Sequence, residues 1–74
     1  MASEDKKVML LARNIAKYRK LKKLSQTKFA MEIEISREHL AKIETGGRHP
    51  SLLLLFKIAK TLGIQEKDLF DFEE

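Results

Sequence analysis

The stretch LSQTKFAMEIEISREHLAKIETGGRHPS, Leu24 to Ser51, decides the architecture, and three serines divide it. Ser25, Ser36 and Ser51 each precede a run with helical spacing. A serine in that place offers its hydroxyl oxygen to the orphan N–H groups of a first helical turn. The spacing predicts one helix over about Gln26 to Ile33, whose Phe29, Ala30 and Ile33 share a face at offsets of three and four. It predicts a second helix from Arg37, after only a few connecting residues. Gly46 can take the left-handed conformation that ends this second helix, and Pro50 cannot continue one.

Working outward, a helix capped at Ser3, with Glu4 and Asp5 facing the positive end of its dipole, runs to about Leu21. Its Val8, Leu11, Ala12, Ile15 and Tyr18 follow the helical period. On the other side, Ser51 caps a fourth helix that Gly63 closes after Leu62, and a short fifth covers roughly Glu66 to Phe70. No alternating strand pattern appears, and three glycines and one proline leave few breaks. The expected fold is all-α: five helices in a single domain over residues 1–74, with the paired short helices at about 25–45 and a short acidic tail at 71–74.

On a helical wheel, Arg37, Glu38, Ala41, Lys42 and Thr45 fall within one arc of roughly 140°. Leu40, Ile43 and Glu44 lie on the other side, with His39 at the border. The outward arc combines an arginine with fork geometry for guanine, a glutamate able to accept from cytosine and a long lysine donor. Its small alanine permits close approach and could touch a thymine methyl. A solvated charged face has the same appearance. The order of elements adds weight to the first reading, because a capped helix, a tight link and a second capped helix form the layout in which the second helix enters a major groove.

Composition limits the alternatives. Seventy-four residues make one domain at most, and the absence of cysteine excludes disulfides and thiolate metal sites. No apolar run approaches the ~20 residues of a membrane span, and the first residues lack the order of a secretion signal. Net charge is +4, but residues 1–64 carry +8 and residues 65–74 carry −4. A basic body with an acidic tail suits a polyanionic partner. His39 and His49 stand in different elements without ligand-spaced carboxylates, so no metal is expected. Ser36 and His39 lack oxyanion glycines and an orienting acid, and no phosphate-cradling loop occurs. Neither a catalytic residue nor a cofactor is expected.

The sequence resembles the Cro and phage-repressor type helix-turn-helix domains, the XRE or lambda-repressor-like family. The likeness runs from about Leu11 to Phe70. It is carried by IAKYRK (Ile15–Lys20), LSQTKFA (Leu24–Ala30), ISREHLAKIETG (Ile35–Gly46), RHPS (Arg48–Ser51) and LLFKIAKTLGI (Leu54–Ile64). The resemblance implies that Gln26, assisted by Thr27, meets a phosphate at the start of the second helix, and that Ser36 touches the backbone while capping. It implies base-edge roles for Arg37, Glu38 and Lys42, which join the Ala41 of the wheel, and a flanking phosphate for Arg48. It also implies an internal salt bridge between Arg19 and Glu44. Two usual glycine positions are occupied by Lys23 and Glu34, where a left-handed backbone costs on the order of 1 kcal/mol unless the turn changes shape.

The expected function is that of a sequence-specific regulator of transcription bound to double-stranded DNA, a repressor or an autoregulating controller in the cytoplasm of a bacterial or phage-type host. No small-molecule ligand or membrane association is expected. Leu53 and Leu54 appear surplus to the inward stripe Leu52, Leu55, Ile58, Ala59 and Leu62. Together with Leu69, Phe70 and Phe72 they make a candidate homodimer surface, which would set two reading helices roughly 34 Å apart on a palindromic site. A helical protein-interaction module with little sequence-specific DNA binding is the alternative.

Overall fold

The computed structural model describes the backbone of residues 2–72 and the side chains of residues 5–72. Five helices follow in order: α1 (Ala2–Leu21), α2 (Gln26–Glu32), α3 (Arg37–Glu44), α4 (Leu52–Leu62) and α5 (Glu66–Leu69). The expected cap at Ser3 falls inside α1 rather than before it. The side chains of Ser3 and Glu4 lie outside the described residues, as do residues 73 and 74 of the acidic tail.

The three serines act as their positions imply. Ser25 Oγ accepts from the N–H of Lys28 at 3.0 Å, Ser36 Oγ from that of His39 at 3.0 Å and Ser51 Oγ from that of Leu54 at 3.1 Å. Each such cap is worth about 1 kcal/mol. α5 starts differently, with the Gln65 N–H donating to Asp68 Oδ2 at 2.9 Å.

Helices α1 to α4 all end in one way. A residue with φ between 61° and 82° (Lys23, Glu34, Gly46 or Gly63) follows the helix. The next N–H then reaches back five residues, from Leu24 to Arg19, Ile35 to Ala30, Gly47 to Lys42 and Ile64 to Ala59, at 2.9–3.2 Å. This closing turn places an apolar residue against the helix it ends. Leu24, Ile35 and Ile64 do so, packing against the core. That contact accounts for a left-handed lysine and glutamate where glycine would be unstrained. The turn between α2 and α3 therefore keeps its left-handed geometry despite Glu34.

One core joins the helices: Ile15, Phe29, Ala30, Ile33, Leu40, Ile43, Leu54, Leu55, Ile58, Ala59, Leu62 and Leu69 are all buried. The rotation of α4 corrects the expected stripe. Leu54 is only 9% exposed, whereas Leu52 is 65% and Leu53 75% exposed. Leu54 lies one turn before Ile58 on the same face and completes it, while Leu52 sits in the first turn, turned away from the core. Leu69 is fully buried in the same core. Leu54 and Leu69 thus belong to the interior of the chain and drop out of the proposed dimer surface.

Candidate nucleic-acid interface

Helix α3 is held by two side chains and presents the rest. Leu40 and Ile43 are fully buried, which fixes the rotation of the helix about its axis. Ser36, Arg37, Glu38 and Lys42 are exposed, and Ala41 between them is half-buried. Thr45, in the same arc, turns its hydroxyl back to donate to the carbonyls of Ala41 at 3.1 Å and Lys42 at 3.2 Å. The presented surface is therefore two cationic side chains, one carboxylate and a methyl, on a helix whose N-terminus is capped.

The base of this surface is a buried ion pair. Arg19 Nε meets Glu44 Oε2 at 2.7 Å and Arg19 Nη2 meets Oε1 at 3.1 Å, with the side chains 9% and 5% exposed. Arg19 Nη1 also donates to the carbonyl of Leu24 at 2.7 Å, pinning the turn after α1. A fork of donors matched to one carboxylate in a desolvated place is the geometry in which such a pair repays its burial. The pair joins α1 to α3 as expected from the resemblance.

Gln26 stands where α2 begins, and its amide is already engaged. Nε2 donates to Glu44 Oε1 at 3.0 Å. A carboxylate cannot donate, so the amide nitrogen must face it, and the amide oxygen is left to accept from Arg37 Nη1 at a long 3.5 Å. Gln26 thus links the ion pair to the first residue of α3. This link is absent from the sequence reading, which placed Gln26 only at a phosphate. Its signal is spacing that no local pattern contains: Gln26 and Glu44 are 18 residues apart. Thr27 is exposed beside Gln26, and Arg48 is exposed beyond the glycines, so the candidate phosphate-facing residues flank α3 on both sides.

Three further contacts were not legible beforehand. A Cβ at Gly46, whose φ is +82°, would collide with Met9 Sδ, so α1 packs onto the loop leading to Arg48. Asn14 Nδ2 donates to the carbonyls of Leu69 at 2.9 Å and Asp71 at 3.3 Å, tying the chain's end to α1. Lys57 Nζ meets Glu34 Oε1 at 2.5 Å on the surface. That hydrogen bond and the lysine's charge hold the Glu34 carboxyl below its ordinary range.

The remaining dimer candidates stand in two places, Leu53 beside Ile35 and His39, and Phe72 beside Leu10 and Asn14 of α1. Leu53 and Phe70 are exposed, Phe72 is half-buried, and the two phenyl rings stand 6.2 Å apart at a tilt of 59°. Leu52 and Phe56 of α4 are also exposed. Among the described residues, no three metal-ligating side chains gather, and no helix is long and apolar enough to cross a membrane.

Comparison with known proteins places this geometry among relatives. A family model described as helix-turn-helix matches residues 15–69. An HTH-type transcriptional regulator of Methanocaldococcus jannaschii is 42% identical over 57 residues, covering 77% of this chain and 86% of that protein. The control protein C.BamHI of Bacillus amyloliquefaciens is 47% identical over 49 residues, which span 66% of this chain and 60% of the relative. Among solved structures, the restriction-modification controller protein C.AhdI of Aeromonas hydrophila superposes with a TM-score of 0.81 at 28% identity, over 85% of this chain and 96% of that one.

Proposed function

The chain belongs to the helix-turn-helix family and is a DNA-binding transcription regulator, not an enzyme; on that premise we propose that it reads a palindromic operator as a homodimer, with α3 in the major groove. The observation that carries the reading is the surface of α3: Arg37, Glu38 and Lys42 exposed around Ala41, on a helix fixed by Leu40 and Ile43. In this reading Arg37 pairs with guanine, Glu38 accepts from cytosine, Lys42 donates to a purine edge and Ala41 lies close to a thymine methyl. Gln26, Thr27, Ser36 and Arg48 hold the phosphates on either side and set the register of α3. Gln26 leaves Arg37 for a phosphate while keeping its bond to Glu44.

Two protomers meet through Leu53, Phe70 and Phe72, joined by Leu52 and Phe56. Leu54 and Leu69 support that surface from beneath. The whole chain acts as a single DNA-binding domain, in the cytoplasm, with no small-molecule ligand. The names of its relatives, a transcriptional regulator and two controllers, support a repressor or autoregulating controller.

The test is anisotropy with a labelled duplex from upstream of the protein's own gene, against a scrambled duplex of equal composition at physiological salt. The expected preference is roughly a thousandfold or more, lost in Arg37→Ala. Equal, weak binding to both would overturn operator reading at that site and favour the protein-interaction module. Sedimentation tests the dimer: Leu53→Asp should shift it to monomer, and a monomer at micromolar concentration with and without DNA would remove the pairing.

A further inference from the structure

Helix α1 carries a second cationic surface that plays no part in the reading above. Arg13, Lys17 and Lys20, spaced by four and three residues, fall on one face and are all exposed. They line a shallow concavity of about 560 Å³ with Ala16 and Glu44. Lys17 Nζ stands 5.0 Å from the centre of the Tyr18 ring. Among the described residues no ion pair engages Arg13, Lys17 or Lys20, although Asp71 lines a neighbouring concavity with the first two.

The carboxylate in the concavity does not offset this charge. Glu44 is already matched by Arg19 and by the Gln26 amide, so three cations remain around a neutralised floor. Ala16 puts only a methyl there, leaving room for a bulky anion. The concavity is also joined to the reading surface, because Glu44 binds Gln26 at 3.0 Å and Gln26 accepts from Arg37 at 3.5 Å. From Arg13 to Lys20 the helix rises about 10 Å at ~1.5 Å per residue. Along one strand of a duplex, phosphates recur every ~3.4 Å of axis, so the stripe spans about three of them.

We propose that Arg13, Lys17 and Lys20 form a second phosphodiester-binding surface, engaging the backbone of the same duplex beyond the groove read by α3. The proposal rests on the DNA-binding reading and extends the footprint from α2, α3 and the following loop to α1. Contacts of this kind carry no sequence information. They raise affinity for any duplex long enough to reach them and steepen its salt dependence.

The experiment uses the full chain and a random-sequence duplex of about 30 base pairs, titrated by anisotropy across a salt series. The triple variant Arg13→Gln, Lys17→Gln, Lys20→Gln is set against a charge-matched control, Lys57→Gln, Lys60→Gln, Lys67→Gln, on α4 and α5. The stripe variant should lose about tenfold in affinity, and its slope of log K on log salt should fall by roughly two to three, while the control keeps most of both. Ala16→Glu, which places a carboxylate in the concavity, should lower affinity in the same direction. All these positions except Ala16 are exposed, and thermal melts establish that each variant is folded. Equal losses in the two triple variants would reduce the effect to net charge and overturn the proposal. So would an unchanged slope, and so would intact DNA binding accompanied by lost affinity for a polyglutamate peptide, which would assign the stripe to an acidic partner. If the unmodified protein shows no salt-sensitive duplex binding at all, the DNA-binding reading itself fails, a result distinct from failure of the stripe alone.

Discussion

Among the described residues, the ion pairs Arg19–Glu44 and Glu34–Lys57 join distant parts of the chain, and they differ in nearly every respect that matters physically. Arg19 and Glu44 are almost excluded from solvent, share two hydrogen bonds, and pass a third and a fourth to Leu24 and Gln26. Glu34 and Lys57 are 74% and 51% exposed and share a single contact. Water and salt screen the second pair, so its shorter distance signifies little. The first, lacking water, must be complete or not present at all. Separation between charges is thus a poor guide to their importance, and burial with saturation of the donors is a good one.

The largest expected effect separates the pairs directly. Arg19→Met should destabilise the protein by ~3–5 kcal/mol, because it strands the Glu44 carboxylate in the interior. Adding Glu44→Leu should recover a large part of that loss, since the remaining pair of apolar side chains leaves no buried charge. Urea unfolding of the three proteins checks this, and additive losses in the double variant would break the comparison. The double variant should also impair DNA recognition, as Gln26 then loses the Glu44 oxygen that anchors it.

The next effect is smaller and of opposite sign. Lys23→Gly should stabilise by about 1 kcal/mol by relieving the left-handed backbone at φ 61°. Glu34→Gly relieves the same strain at φ 64° but gives up Lys57, so its gain should be the lesser of the two. A larger gain at Glu34 would mean that the surface pair contributes nothing. Thermal melts at low and high salt distinguish the strain from the screened charge.

The smallest effect sharpens the exposed pair through pH. The Glu34 carboxyl is lowered from an ordinary value of 4.5 by its hydrogen bond to Lys57 and by the lysine's charge. A depressed acid contributes stability that is present above its unfolded value and is lost as pH falls through the folded one. Lys57→Met should therefore be slightly less stable than the parent at neutral pH. The two stability curves should converge below about 4.5, and high salt should bring them together at every pH. A difference that persists in acid would mean that Lys57 acts through packing.

Some of this was readable in advance and some was not. Ser25, Ser36, Ser51 and Gly63 mark helix ends by local hydrogen bonds that need only a few neighbouring residues. Lys23 and Glu34 stood out through the family resemblance, as occupants of positions where glycine is usual. The outward arc of α3 was legible because Leu40 and Ile43 leave it one way to face. The pairing of Arg19 with Glu44 came from family resemblance, not from the residues alone. The rotation of α4 was misread, since Leu52 and Leu54 both fit an inward stripe by period and only the surrounding helices distinguish them. The roles of Asn14 and Met9 left no pattern at all.

The sequence by itself determined the five helices, their order, the serine caps of α2, α3 and α4 and the kind of side chain that α3 presents, because each depends on interactions that span at most about two turns. Only the tertiary structure decided which leucines of α4 are interior, that Gln26 bridges Glu44 and Arg37, and that three cations of α1 surround a carboxylate neutralised from elsewhere. Those outcomes depend on groups well separated in sequence, such as Gln26 and Glu44 at 18 residues and Arg19 and Glu44 at 25, meeting in one place. Burial and hydrogen-bond saturation there are properties of the packed whole.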